Sequence, residues 1–153
     1  MGKTLIIKGA DFIENAVETS YKNLINPVEI EQGKYIDSAG NIEIPTSDVD
    51  RYAVSGFIPV NGKDIYCPTE FTVDVTQSST FGGYLVYDSN FTKIRFNRLR
   101  KKQYTYVSGD AYVRFPLRND ALNNPKVTDG INYLAHFAAY GNRALPYKPY
   151  EGE

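Results

Sequence analysis

The chain has 153 residues, a length that fits one domain able to bury roughly two-thirds of the surface its unfolded form exposes. Seventeen Lys and Arg against eighteen Asp and Glu leave a net charge of −1, which excludes the broad positive field that draws proteins to nucleic acid or an anionic membrane. Cys67 is the single cysteine, so no intrachain disulfide can form, and thirteen Tyr with eight Phe suit pleated sheet better than helix.

In chain order, residues 3–8 read as a short strand leaving through Gly9-Ala10-Asp11. This apolar run is too short for a signal peptide or a membrane span, and the expectation is a soluble chain beginning at or near Met1. Asp11 can cap a helical turn over residues 12–19, where helix and extended chain are both open. Asn26-Pro27 breaks the chain. Tyr35-Ile36-Asp37, the glycine-containing turn Ser38-Ala39-Gly40-Asn41 and the return over residues 42–44 predict a small edge hairpin. The run YAVSGFIPV predicts one strand over residues 52–60, with Tyr52, Val54, Gly56, Ile58 and Val60 on one face, ending or lying at an edge at Pro59. Asn61-Gly62 is a strong short hairpin signal.

Phe71, Val73 and Val75 alternate with Thr72, Asp74 and Thr76 as a half-buried strand. The stretch GGYLVYDSNFTKIRFN, residues 82–97, predicts the central hairpin. Tyr84 and Val86 face one way and Leu85 and Tyr87 the other, Asp88-Ser89-Asn90 turns, and Thr92, Ile94 and Phe96 alternate with Lys93, Arg95 and Asn97. Further strands follow at residues 104–107 and 110–115, with Ala111, Val113 and Phe115 opposing Tyr112 and Arg114. Residues 119–129 read as a polar loop, and INYLAHFAAY at 131–140 as a last strand in preference to a helix. The tail ALPYKPYEGE predicts an extended, polyproline-like arm at residues 144–153, which either lies along a neighbouring subunit or simply finishes the chain. The fold class predicted is all-β: an antiparallel β-sandwich or jelly roll over residues 33–143, a strand and connecting segment over 1–32, and the C-terminal arm.

The succession GKYIDSAGNI, YAVSGFIPVNGKDIY, GGYLVYDSNFTKI and SGDAYVRF, covering residues 33–115, resembles a β-sandwich module of tail-fibre, receptor-binding and other surface proteins of bacteriophages, including phages of gut Bacteroidetes. The opening GKTLIIKGADF is similar to the starts of short proteins from the same sources. The resemblance implies a jelly-roll-like, non-enzymatic protein used for particle assembly or glycan contact. It fixes no binding residue.

No catalytic constellation stands out. Gly2-Lys3-Thr4 lacks the upstream glycine and strand of a phosphate-binding loop. With one histidine, His136, and one cysteine, a zinc site of His and Cys is excluded, and His136 reads as a hydrogen-bonded residue of the last strand. No Gly-x-Ser-x-Gly elbow exposes a serine to that histidine. Asp48 and Asp50 are open to acid–base or calcium chemistry but read as solvated turn residues. Asn90-Phe91-Thr92 matches a glycosylation acceptor inside a tight turn. Cofactors and metals are expected to be none.

Two surface groups remain. Arg95, Arg98, Arg100, Lys101 and Lys102 form a basic patch open to phosphate, an acidic glycan or an acidic partner, or to keeping an edge strand from pairing. Tyr87, Tyr112 and Arg114, on the parity opposite the core, form a platform for a sugar ring or a subunit interface. The reading expected first is a structural component of a bacteriophage particle, located on the virion and packed against copies of itself and other virion proteins. The alternative is a carbohydrate-binding module on a host or bacterial surface glycan, cell-surface or secreted. Nucleic acid and membrane insertion are not expected.

Overall fold

The computed structural model describes residues 20–68, 83–98, 103–119, 126–133 and 135–152. The strands expected over residues 3–8 and 71–75 and the segment 12–19 lie outside the described residues.

Among the described residues the chain is all-β, with antiparallel pairing throughout and two single-turn 3₁₀ segments, Pro27–Glu29 and Val49–Arg51. The strands are β1 (Glu31–Gln32), β2 (Tyr35–Ile36), β3 (Ile42–Glu43), β4 (Tyr52–Val54), β5 (Ile58–Pro59), β6 (Ile65–Tyr66) and β7 (Gly83–Tyr87). They continue as β8 (Lys93–Arg98), β9 (Gln103–Tyr104), β10 (Tyr112–Arg114), β11 (Pro116–Arg118), β12 (Lys126–Thr128), β13 (Ile131–Tyr133) and β14 (Ala139–Tyr140). A four-stranded sheet runs β5-β10-β7-β8, with three-stranded sheets β1-β4-β11 and β14-β6-β9 and the hairpins β2-β3 and β12-β13.

The central hairpin forms as its alternation dictates, and its first arm is buried along its whole length. Asp88 makes the turn: its carboxylate accepts from the amides of Asn90 (2.9 Å) and Thr92 (3.0 Å). Tyr84 and Val86 join Ile58, Ile65, Tyr104, Val113 and Phe115 in the main core, which links one face of the four-stranded sheet to the β14-β6-β9 sheet. Leu85 and Tyr87 enter a second cluster on the other face, with Ile36, Val54 and the partly buried Ile42, Phe57, Phe96 and Tyr112. The four-stranded sheet is therefore a middle layer, and the layering is consistent with a β-sandwich.

Phe96 joins the β2-β3 hairpin to this layer. A Cβ on Gly40, at the hairpin tip with φ +85°, would stand 2.8 Å from Phe96, and a Cβ on Gly83 would stand 2.1 Å from its ring. The tip itself closes as expected, with the Asp37 carboxylate accepting from the amides of Ala39 and Asn41. In the second arm of the central hairpin a bulge lies between the pairs Val86–Arg95 and Tyr87–Lys93, so the alternation there is interrupted and Ile94 is 46% exposed.

Residues 52–60 do not make the single strand expected. β4 pairs with β11, and β5 with β10, in two different sheets. Between the pairs Val54–Pro116 and Ile58–Val113 the first strand carries Ser55, Gly56 and Phe57 against Arg114 and Phe115 on the second. That additional residue reverses the parity, so Val54 faces the second cluster while Ile58 and Val60 face the main core. Ser55 holds the corner: its amide donates to the Phe115 carbonyl (3.0 Å) and the Phe115 amide donates to its hydroxyl oxygen (2.8 Å).

Three other expectations are corrected. Asn61 and Gly62 form the turn, both with positive φ (51° and 69°), but its arms β5 and β6 enter different sheets and do not pair. Residues 131–140 split into β13 and β14, with His136 and Phe137 between them outside any strand. The polar stretch 119–129 ends in β12, which pairs with β13 through a tight turn at Asp129-Gly130.

The segment ahead of residue 33 belongs to the body: Ile25 lies in the main core, the Leu24 amide donates to the Ala138 carbonyl, and β1 pairs with β4. The C-terminal arm forms neither helix nor strand over residues 144–152 and lies on its own chain. Leu145 and Tyr147 pack with Tyr21, Tyr133 and Phe137, and the Tyr133 hydroxyl donates to the Leu145 carbonyl (2.8 Å). The Tyr21 hydroxyl donates to the Pro146 carbonyl, and Lys148 stands 4.3 Å over the Tyr21 ring.

Candidate functional site

Tyr87, Tyr112 and Arg114 are brought together, but under cover of the same chain. Tyr87 and Tyr112 are direct cross-strand partners, as the shared parity of their strands requires. Phe57, delivered by the corner, meets the Tyr87 ring edge-on at 4.7 Å and the Tyr112 ring at 6.1 Å. The Arg114 guanidinium lies 4.7 Å over Phe57, donates through Nε to the Ser55 carbonyl (2.8 Å) and pairs with Glu31 (2.7 Å). With 6% of its surface exposed, Arg114 is a buried clamp between the corner and β1. The Arg114 hydrogen bond, opposed by partial burial, holds the Glu31 carboxyl below its ordinary range. Phe91 carries this cluster to the surface: it stacks on Tyr112 at 4.5 Å and is 52% exposed.

Of the five basic residues of the patch, Arg95 is the one whose side chain is described. Arg95 makes a bidentate pair with Asp110 (2.6 and 3.1 Å), whose side chain is wholly buried. Asp110 also accepts from the Tyr104 hydroxyl (2.5 Å) and the Val107 amide (3.2 Å). Burial alone would raise the Asp110 pKa, but the Arg95 and Tyr104 hydrogen bonds outweigh it and the net shift is downward. Arg95 is thus a structural partner. Arg98 ends β8 opposite Gly83, and Arg100, Lys101 and Lys102 lie outside the described residues.

Cys67 is buried, and burial pushes its thiol pKa far up, so it has no thiolate character. The buried His136 donates through Nε2 to the Arg118 carbonyl (2.9 Å). Burial lowers its pKa more than that bond raises it. Asp48 and Asp50 are exposed about the Val49–Arg51 turn. Among the described residues no group of three or more His, Cys, Asp and Glu side chains is placed to hold a metal. No helix among them is long and apolar enough to cross a membrane.

The site that sequence reasoning missed is a cleft of about 640 Å³ between residues 20–29, the end of β5 with its turn, Tyr140 and the end of the C-terminal arm. Its aromatic lining is Tyr21, Phe57, Tyr140 and Tyr150. Tyr140 is fixed, since its hydroxyl donates to the Pro59 carbonyl (2.6 Å) and accepts from Asn61 Nδ2 (2.9 Å). Asn23 is committed to the scaffold, its amide bridging the His136 carbonyl and the Ile25 and Ala138 amides. Other lining groups have neither a hydrogen bond nor an ion pair among the described residues: the Lys22 and Lys63 ammoniums, Asn26 Nδ2, the Glu29 carboxylate, Asn61 Oδ1 and the Tyr150 hydroxyl. Aromatic surfaces beside unengaged donors and acceptors are what a polyhydroxylated ligand needs, one group for ring faces and the other for hydroxyls. Only the Asn61-Gly62 turn and the Pro-Tyr units of the arm were visible signals for it.

No family model, curated protein or solved structure matches the chain.

Proposed function

We propose that the protein is a non-enzymatic recognition module that holds a glycan in the cleft lined by Tyr140, Tyr150 and Phe57. The observation that carries this reading is the pairing, in one open cleft of about 640 Å³, of tyrosine rings with polar groups that have no hydrogen bond or ion pair among the described residues. The bacteriophage-surface resemblance agrees with it, since adhesion to a cell-surface polysaccharide is one of the two uses that resemblance implies.

The other use, a structural component of a bacteriophage particle packed against copies of itself and other virion proteins, draws on a different feature. Val28 and Ile44 are 90% and 70% exposed and offer apolar side chains that a partner chain could cover. It loses the support of the C-terminal arm, which is engaged on its own chain. Either reading is of a protein working at a virion or bacterial surface.

A glycan array probed with the full chain and with Tyr150→Ala separates the two. Among the described residues Tyr150 has no hydrogen bond or ring contact, so its removal should lower the melting temperature only by the loss of its half-buried ring packing. Loss of one stacking ring, about 1.4 kcal/mol, should weaken retained glycans about ten-fold. An empty array, together with a stable oligomer by light scattering that is broken by Val28→Asp or Ile44→Asp, would transfer the conclusion to assembly.

A further inference from the structure

We propose, resting on the glycan reading of the cleft, that its ligand is acidic and that Lys63 receives the anionic group. A second depression of about 500 Å³, lined by Gly62, Lys63, Asp64, Tyr140, Gly141 and Asn142, adjoins the cleft. Lys63 and Tyr140 line both, so the two are neighbouring parts of one groove with this pair at the junction. Their volumes each fall in the range of small-ligand sites, about 300–1,000 Å³, so the groove suits an oligosaccharide crossing the junction better than a single terminal sugar.

The junction carries a fixed cation. The Tyr140 ring is held by its two hydroxyl bonds, and the Lys63 ammonium stands 5.0 Å from its centroid. A cation–π contact positions an ammonium without cancelling its charge. Among the described residues no carboxylate forms an ion pair with it. Asp64, next in sequence, accepts instead from the Tyr106 amide (2.9 Å) and from Gln103 Nε2 (3.4 Å). Glu29 lies against Gly56 and forms no ion pair with Lys63 or Lys22. Lys22 adds a second unpaired positive charge on the cleft wall. A neutral sugar would leave both ammoniums to solvent, whereas a uronate carboxylate or a sugar sulfate supplies the missing partner.

Affinity electrophoresis of the full chain through gels of polygalacturonate, dextran sulfate or neutral galactan tests this. The expected result is stronger retardation by an acidic polymer than by galactan, with most of the difference lost between about 0.05 and about 0.5 M salt. Lys63→Gln should reduce acidic-polymer retardation about two- to five-fold, the range for one exposed ion pair, and leave galactan unchanged, while Lys63→Arg restores it. Preference for polygalacturonate identifies carboxylate as the recognised group, and preference for dextran sulfate identifies sulfate. An equal loss from Lys34→Gln, which lines neither depression, would show bulk charge at work and overturn the inference. Equal retardation by acidic and neutral polymers, unaffected by Lys63→Gln, overturns it and leaves the glycan reading standing. No retardation in any gel removes both.

Discussion

Asp110 shows how one charged residue is made part of a core. Its carboxylate has no exposed surface and is surrounded by donors from Arg95, Tyr104 and Val107. Replacing Arg95 by Met would leave that charge buried and unpaired, so urea unfolding at pH 7 should show a loss of about 3 kcal/mol or more. Arg95→Met combined with Asp110→Asn should recover part of it, and a double variant no better than the single would contradict the role given to the pair. The same residues set the pH response. The folded-state pKa values of Asp110, Glu31 and Asp37 are depressed, so their stabilisation is complete above the unfolded carboxylate range and is lost as the pH falls below about 4. His136 acts earlier. It is held neutral by burial, so the unfolded chain takes up its proton first and stability begins to fall below about pH 6.5. His136→Gln keeps a donor for the Arg118 carbonyl and should flatten the urea midpoint between pH 7 and 5 while leaving the acid limb below 4. None of this pairing was legible in the sequence, where Arg95 read as one of five basic neighbours. Its partner is fifteen residues away and is selected by the fold.

At the scale of elements, legibility followed how local the cause was. The central hairpin was readable because alternation and the Asp88 turn are contained in one short stretch, and the Asp37 turn for the same reason. The Asp129-Gly130 hairpin carried an equally local signal, overlooked inside a polar run. The corner at Ser55-Gly56-Phe57 had no such signal. The alternation of residues 52–60 continues straight through it, and the break is imposed by Phe115, sixty residues on. Phe96 is where elements from different sheets depend on one another, with Gly40 and Gly83 on either hand. Gly83→Ala should destabilise by about 2 kcal/mol, since the new methyl overlaps the Phe96 ring. Phe96→Ala should lower that cost in a double-mutant cycle, and additive effects would show that the ring is not the obstacle.

For the whole molecule, the C-terminal arm is the element whose role differs most from expectation. Deleting residues 144–153 strips Leu145 and Tyr147 from Tyr21, Tyr133 and Phe137, and the shortened chain should lose about 2–4 kcal/mol in urea unfolding. Its molar mass by light scattering should match the full chain's, residue for residue removed. A truncated chain of undiminished stability but altered oligomeric state would restore the arm as an assembly device. The cleft shares this dependence on distant parts, and so it was hidden from any reading of successive residues. The clasp between Tyr21 and the arm also joins residues 125 and 127 positions apart. Contacts of such separation carry a high loop-closure entropy and form late, after local hairpins have set their register. Lined at residues 20–29 and again at Tyr150 and Gly152, the cleft is complete only when both ends of that span have met. On the proposed glycan reading, ligand capture would therefore report on complete folding: a nascent or partly unfolded chain could hold its middle layer and still be unable to adhere.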